Sequence, residues 1–223
     1  MFSKNMSVTY ELGQFEQVPS ASGIYAWYYR PKISEKSLKD LESELQNISL
    51  ADRKIRISAF LQREIFEFLR EEDYVATMDG GLRPNYVGRL KFESPLSESL
   101  CVKIAQNPSQ LWSIRSVLEN LQFYFTPPIY VGMAKNLRDR LKRHKYHIDN
   151  IDFTKTDGAV AGFLDDIEQS EQYSLTFALD VSRRNLSLDR LCVAVHVIDV
   201  GDNSHNSVEN ILNRIAHPLC GRR

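Results

Sequence analysis

Residues 22–30, SGIYAWYYR, are rich in aromatic and β-branched side chains and stop at Pro31. Such residues favour a strand, and proline cannot donate to a strand ladder, so the run ends there. The next run of this kind in a comparable setting, Ile129 to Ala134, follows Pro127 and Pro128 about one hundred residues later. Residues 31–126 thus form a long insertion between the two runs.

The insertion begins with helical patterning. Leu38, Leu41 and Leu45 recur at spacings of three and four in 34–47. Ile57, Phe60, Leu61, Ile65, Phe66, Phe68 and Leu69 form a broad apolar face over 55–72. From Tyr74 to Ile104 the pattern reads as β, broken at Pro84 and Pro95, and helix returns over 109–123. Beyond the second strand, Asn136 suits a helix cap, with Asp139 at the third position of a helix over 137–148. Residues 151–172 read as an acidic loop and helix, and 191–200, LCVAVHVIDV, as a buried strand. Asn203 to Asn206 read as a polar loop, and 207–217 as a last helix before Pro218.

Charge and cysteine usage narrow the function classes. Lys plus Arg total 28 against 29 Asp plus Glu, so a polybasic protein is excluded and any nucleic-acid surface must be local. No apolar stretch approaches the roughly 20 residues of a membrane span, and MFSKNMSVTYELG lacks the apolar run of a signal peptide. Cys101, Cys192 and Cys220 are odd in number and widely spaced, which suits a reduced, cytoplasmic protein. Neither GxxxxGK[ST] nor GxGxxG occurs, so no nucleotide cofactor is expected. His144 with His147, and His196, Asp199, Asp202 and His205, read as non-metal groups, because zinc needs three or four converging ligands.

One local cluster breaks the neutral balance. Residues 135–145 hold six basic residues, Lys135, Arg138, Arg140, Lys142, Arg143 and Lys145, against the single acid Asp139. They follow Tyr130-Val131-Gly132, and an earlier strand carries Gly23-Ile24-Tyr25. With Glu209 in the last helix, the stretch YVGMAKNLRDRLKRH resembles the GIY-YIG nuclease superfamily. It carries the second tripeptide, the helix start, and an Arg followed four residues later by a His. Tyr86-Val87-Gly88 is another YVG, but no capped basic helix follows it, so it reads as a coincidence. The resemblance covers residues 19–30 and 127–221, about half of the chain.

The resemblance implies an α/β (α+β) fold, a small three-stranded, mainly antiparallel sheet flanked by helices, with a discontinuous core of residues 1–30 and 127–223. The mixed insertion over 31–126 then leaves and returns at one end of the tripeptide strand pair and folds as its own subdomain. It implies a divalent-metal-dependent endonuclease acting on DNA, of restriction or defence type. Glu209 would hold Mg²⁺ or Mn²⁺, Arg140 would clamp the phosphate, and Tyr25 or Tyr130 would help deprotonate the attacking water. A phenol has a pKa of about 10, so the cations Arg140, His144 and the metal would have to lower it. Lys135, Arg138, Lys142, Arg143 and Lys145 would contact double-stranded DNA. A homodimer is expected if both strands are cut, since one site cuts one strand at a time.

Side-chain alternation gives these residues a geometry. Gly23, Tyr25 and Trp27 share one strand face, and Tyr130 and Gly132 another. Both tyrosines are expected to point out together, with the glycines leaving room for a phosphate backbone. Arg140 and His144, four apart, stack on one helix surface away from the stripe of Leu137, Leu141 and Ile148. The sequence departs from the family where an asparagine usually follows the glutamate by about twelve residues: Cys220 or Gly221 stands there. A non-cleaving nucleic-acid-binding or regulatory protein on a decayed nuclease scaffold, and an RNA-directed nuclease, stay open as alternatives.

Overall fold

The computed structural model describes residues 7–69, 74–80, 83–90, 96–150, 169–198 and 205–220. The expected loop and helix over 151–172 lies outside them up to residue 168, as do Asp199, Asp202 and the start of the loop from Asn203. The chain forms two compact units, one of Met1–Arg30 with Asn120–Arg223 and the other of Pro31–Glu119.

The first unit holds a sheet of β1 (Val8–Glu11), β2 (Gly23–Tyr29), β5 (Tyr130–Ala134) and β6 (Leu191–Val197). Their order is β1-β6-β2-β5, and every pairing is antiparallel. The two tripeptide strands therefore pair directly, Tyr25 opposite Gly132 and Trp27 opposite Tyr130. The sheet has four strands rather than the expected three. The extra one, β1, is four residues long and zips along β6 from Val8 opposite Val195 to Glu11 opposite Cys192. So short a strand shows too little alternation to be read before its partner is known.

Three α-helices lie in this unit, α5 (Leu137–Asn150), α6 (Gln169–Arg183) and α7 (His205–Ala216), with 3₁₀ helices at Leu12–Gln17 and Leu188–Arg190. Asn136 caps α5 as expected, accepting from the Asp139 N–H at 3.3 Å, while its own amide reaches the Asp139 carboxylate. The Leu137 N–H donates to the Ala21 carbonyl at 3.0 Å, which fixes the helix start beside the start of β2. Helix α6 packs on α5, and α7 packs on β5.

The second unit is built on an apolar cluster that includes Ile33, Leu38, Leu41, Leu45, Ile57, Phe60, Leu61, Ile104 and Leu111. Helix α1 (Glu35–Glu44) is capped by Ser34 and α2 (Leu50–Leu61) by Ser49. The expected helix over 55–72 thus starts earlier, and after Leu61 it continues as a π turn, Gln62–Phe66, and a short 3₁₀ turn, Glu67–Leu69. The β reading of 74–104 holds only for its first part. Strands β3 (Tyr74–Gly80) and β4 (Arg83–Leu90) form a hairpin, but α3 (Glu98–Gln106) follows. Cys101, Ile104 and Ala105 sit at helical spacing and are all buried, which overrides their β propensity. Helix α4 spans Gln110–Phe125.

Candidate active site

Alternation along β2 is as expected, but the faces are reversed. Gly23, Tyr25, Trp27 and Tyr29 are buried, and Ile24, Ala26 and Tyr28 are the half-covered side. On α5 the buried face is Leu137, Arg140, Leu141 and His144, so Arg140 and His144 continue the leucine stripe instead of avoiding it. Polar tips survive inside because they meet one another, which removes the cost of burying each alone.

The meeting point is the Tyr25 hydroxyl. Arg140 Nε donates to it at 3.0 Å, and His144 Nε2 lies 2.8 Å away. Tyr130, whose ring stacks on Tyr25 with centroids 6.1 Å apart, also hydrogen-bonds to it. His144 Nε2 and the Tyr25 hydroxyl share one proton, carried by the imidazole in one tautomer and by the phenol in the other.

Gly132 makes the arrangement sterically feasible. A Cβ there would lie 2.5 Å from the Tyr25 hydroxyl oxygen and 2.6 Å from the ring carbon that bears it. The space that the sequence reading left for a phosphate backbone is filled by Tyr25 itself.

Burial governs the protonation states. It pushes the Tyr25 pKa up, with Arg140 pulling against it, and pushes Tyr130 well above the usual phenol value. The expected lowering of a tyrosine by neighbouring cations is therefore outweighed by desolvation. His144 is held well below 6.5, first by burial and then by Arg140, His147 and Arg143. It is a neutral imidazole at pH 7, not one of the cations. Glu209, on α7 and half-buried, has its carboxyl raised by burial and partly drawn back by Arg140. Its charge in turn raises both tyrosines, which places it within the electrostatic reach of the cluster.

His144 gives the fold a pH signature. Its folded pKa is below the unfolded value of 6.5, so its contribution is complete above pH 6.5 and is lost as pH falls from there toward the folded value. Urea unfolding of the wild type is expected to weaken by up to about 1.4 kcal/mol per pH unit below 6.5 relative to His144→Gln. Parallel stability profiles for the two proteins would refute a neutral His144.

The basic face of α5 is largely tied within the chain. Arg138 donates to the Val18 carbonyl at 2.7 Å, Lys142 pairs with Glu16 at 2.8 Å, and Lys145 pairs with Asp149. Lys135 and Arg143 are exposed. Cys220, in the tail where the family usually carries asparagine, is buried, and its N–H donates to the Ile129 carbonyl at 2.7 Å. The second YVG, residues 86–88, lies on β4 of the other unit.

No family model, curated protein or solved structure matches the chain. The family likeness thus rests on the residues themselves. Among the described residues no helix is long and apolar enough to cross a membrane. Sequence reasoning missed two members of the cluster's surroundings, Trp27 as a neighbour of His144 and Phe177 on α6. Trp27 was legible as the next residue on the Tyr25 face, but nothing near Phe177 in the sequence marks it.

Proposed function

We propose that the chain is a divalent-metal-dependent endonuclease that hydrolyses phosphodiester bonds in DNA. The observation that carries this reading is the convergence of Arg140, His144 and Tyr130 on the Tyr25 hydroxyl, with the Glu209 carboxyl in their field. Packing tyrosines ordinarily need one hydrogen-bond partner for the hydroxyl. A buried hydroxyl with three partners, two of them ionisable nitrogen groups, suits proton handling beside a charged substrate.

Glu209 fits a magnesium-type ion better than a zinc-type one. Among the described residues no three His, Cys, Asp or Glu converge on a metal position. One carboxylate, several waters and substrate phosphate oxygens make a suitable Mg²⁺ or Mn²⁺ sphere. Burial also leaves the Glu209 carboxylate short of solvation, which favours a cation there. When bound, such an ion neutralises charge developing on the phosphate and leaving oxygen.

The chain's own residues supply the rest. Arg140 brings a fixed positive charge for the non-bridging oxygens. Tyr130, 6% exposed against 1% for Tyr25, is the phenol more open to solvent and the one assigned to the attacking water. In the tautomer with a bare Nε2, His144 takes the Tyr25 proton as Tyr130 passes one to Tyr25 and takes one from the water. His144 alone is a weak base, and the negative charge of a bound phosphate raises its proton affinity. The relay is thereby tied to the presence of substrate.

The test is incubation with supercoiled plasmid and Mg²⁺ or Mn²⁺, beside EDTA and Glu209→Ala controls. Metal-dependent nicking or linearisation that the variant lacks supports the reading. Salt-sensitive binding of DNA without any cleavage overturns it in favour of a binding protein on a decayed scaffold. That second reading has one structural observation behind it, the buried Cys220 near the usual asparagine position. An RNA-directed enzyme would show itself by cutting single-stranded RNA in preference to duplex DNA.

A further inference from the structure

A histidine that works through one ring nitrogen usually has the other fixed by a carbonyl or carboxylate. His144 does not. Its Nδ1 is buried and finds no hydrogen-bond partner among the described residues. What surrounds the ring is aromatic. Phe177 stands edge-on to it at 5.3 Å and 89°, Trp27 at 5.9 Å, and Tyr130 at 5.4 Å.

Phe177 is the residue shared by all of these. Fully buried on α6, it also packs 4.9 Å from the Tyr130 ring and 5.1 Å from the Trp27 ring. Its neighbours on that helix, Ala178, Leu179 and Val181, are buried as well, so the ring stands on a rigid support. We propose that Phe177 is a positioning residue: by wedging against His144, Tyr130 and Trp27, it holds the imidazole so that Nε2 faces the Tyr25 hydroxyl. Ring packing here does the work that a second hydrogen bond does around other functional histidines. Both tyrosines are held by the same wedge, Tyr130 directly and Tyr25 through His144.

The catalytic side of this inference rests on the endonuclease reading, whereas the placement of His144 does not. The experiment therefore has two readouts on one variant, Phe177→Leu, which keeps most of the volume and loses the ring; Phe177→Met substitutes if the leucine protein fails to fold. Nitrogen-15 spectra of the histidine rings at pH 7.5 report the His144 tautomer without metal or DNA. The wild type is expected to show a single neutral tautomer, and the variant a mixture of ring states. On plasmid DNA, kcat is expected to fall at least tenfold in the variant with KM changed less than twofold. Unchanged His144 signals in a folded variant overturn the inference, whatever happens to kcat. If the wild type fails to cut nucleic acid while the His144 signals change in the variant, the positioning role stands and the endonuclease reading falls.

Discussion

Glu209→Ala is expected to lower metal-dependent plasmid cutting by at least about 10³-fold, the equivalent of about 4 kcal/mol of transition-state stabilisation. The loss should come without a loss of fold. Burial raises the Glu209 pKa, so its stability contribution is present below the unfolded value of about 4.5 and is lost as pH rises through the folded one. At pH 7 the ionised carboxylate is thus a net burden on the apo protein, and the alanine variant should melt at or above the wild-type temperature in EDTA. Added Mg²⁺ or Mn²⁺ should stabilise the wild type and not the variant. A variant that both cuts and melts like the wild type would make Glu209 an ordinary helix residue. One that loses activity because it unfolds would leave the metal role without this support.

The second large effect lies at a residue with no side chain. Gly132→Ala places a methyl group 2.5 Å from the Tyr25 hydroxyl oxygen, with the Tyr130 ring also close, at 3.1 Å. Tyr25 is buried beneath α5 and bonded to Arg140 and His144, so its ring has nowhere easy to go. Overpacking of this kind costs about 1–3 kcal/mol, read as a lower urea midpoint. Activity should fall with it, because moving the Tyr25 hydroxyl disturbs every bond in the cluster. The clash can be isolated by a double-mutant cycle. In a Tyr25→Leu background the cost of Gly132→Ala should shrink to the smaller part owed to the Tyr130 ring. An equal cost in both backgrounds would mean that the glycine serves backbone freedom in β5 and not the tyrosine opposite it.

The residues of the cluster were legible in the sequence because each belongs to a short local pattern. Tyr25 and Tyr130 come from two strand tripeptides, and Arg140 and His144 from consecutive turns of a capped helix. Their mutual orientation was not legible. Strand alternation states that Tyr25 and Trp27 share a face, yet it does not state which face is covered. The tyrosine face looked like the outer one because it carries hydroxyls, and it is the inner one because Arg140 and His144 supply partners for them. The partners of the basic helix were not legible either. Contacts with Glu16 and the Val18 carbonyl, about 120 residues away in the chain, occupy two of its cations.

Local sequence determined the limits of β2 and β5, the apolar run of β6 and the cap at Asn136. Those features depend on residues a few positions apart, and propensity, proline and capping act over that range. Tertiary structure alone decided that β1 joins the sheet, that residues 98–106 are helical, and that the tyrosine face is buried. It also decided that Phe177 reaches His144 and that desolvation holds the imidazole neutral. Each of these turns on what arrives from a distant part of the chain to bury a side chain or satisfy its polar atoms. Burial and pairing are properties of the assembled core and not of any one segment of it.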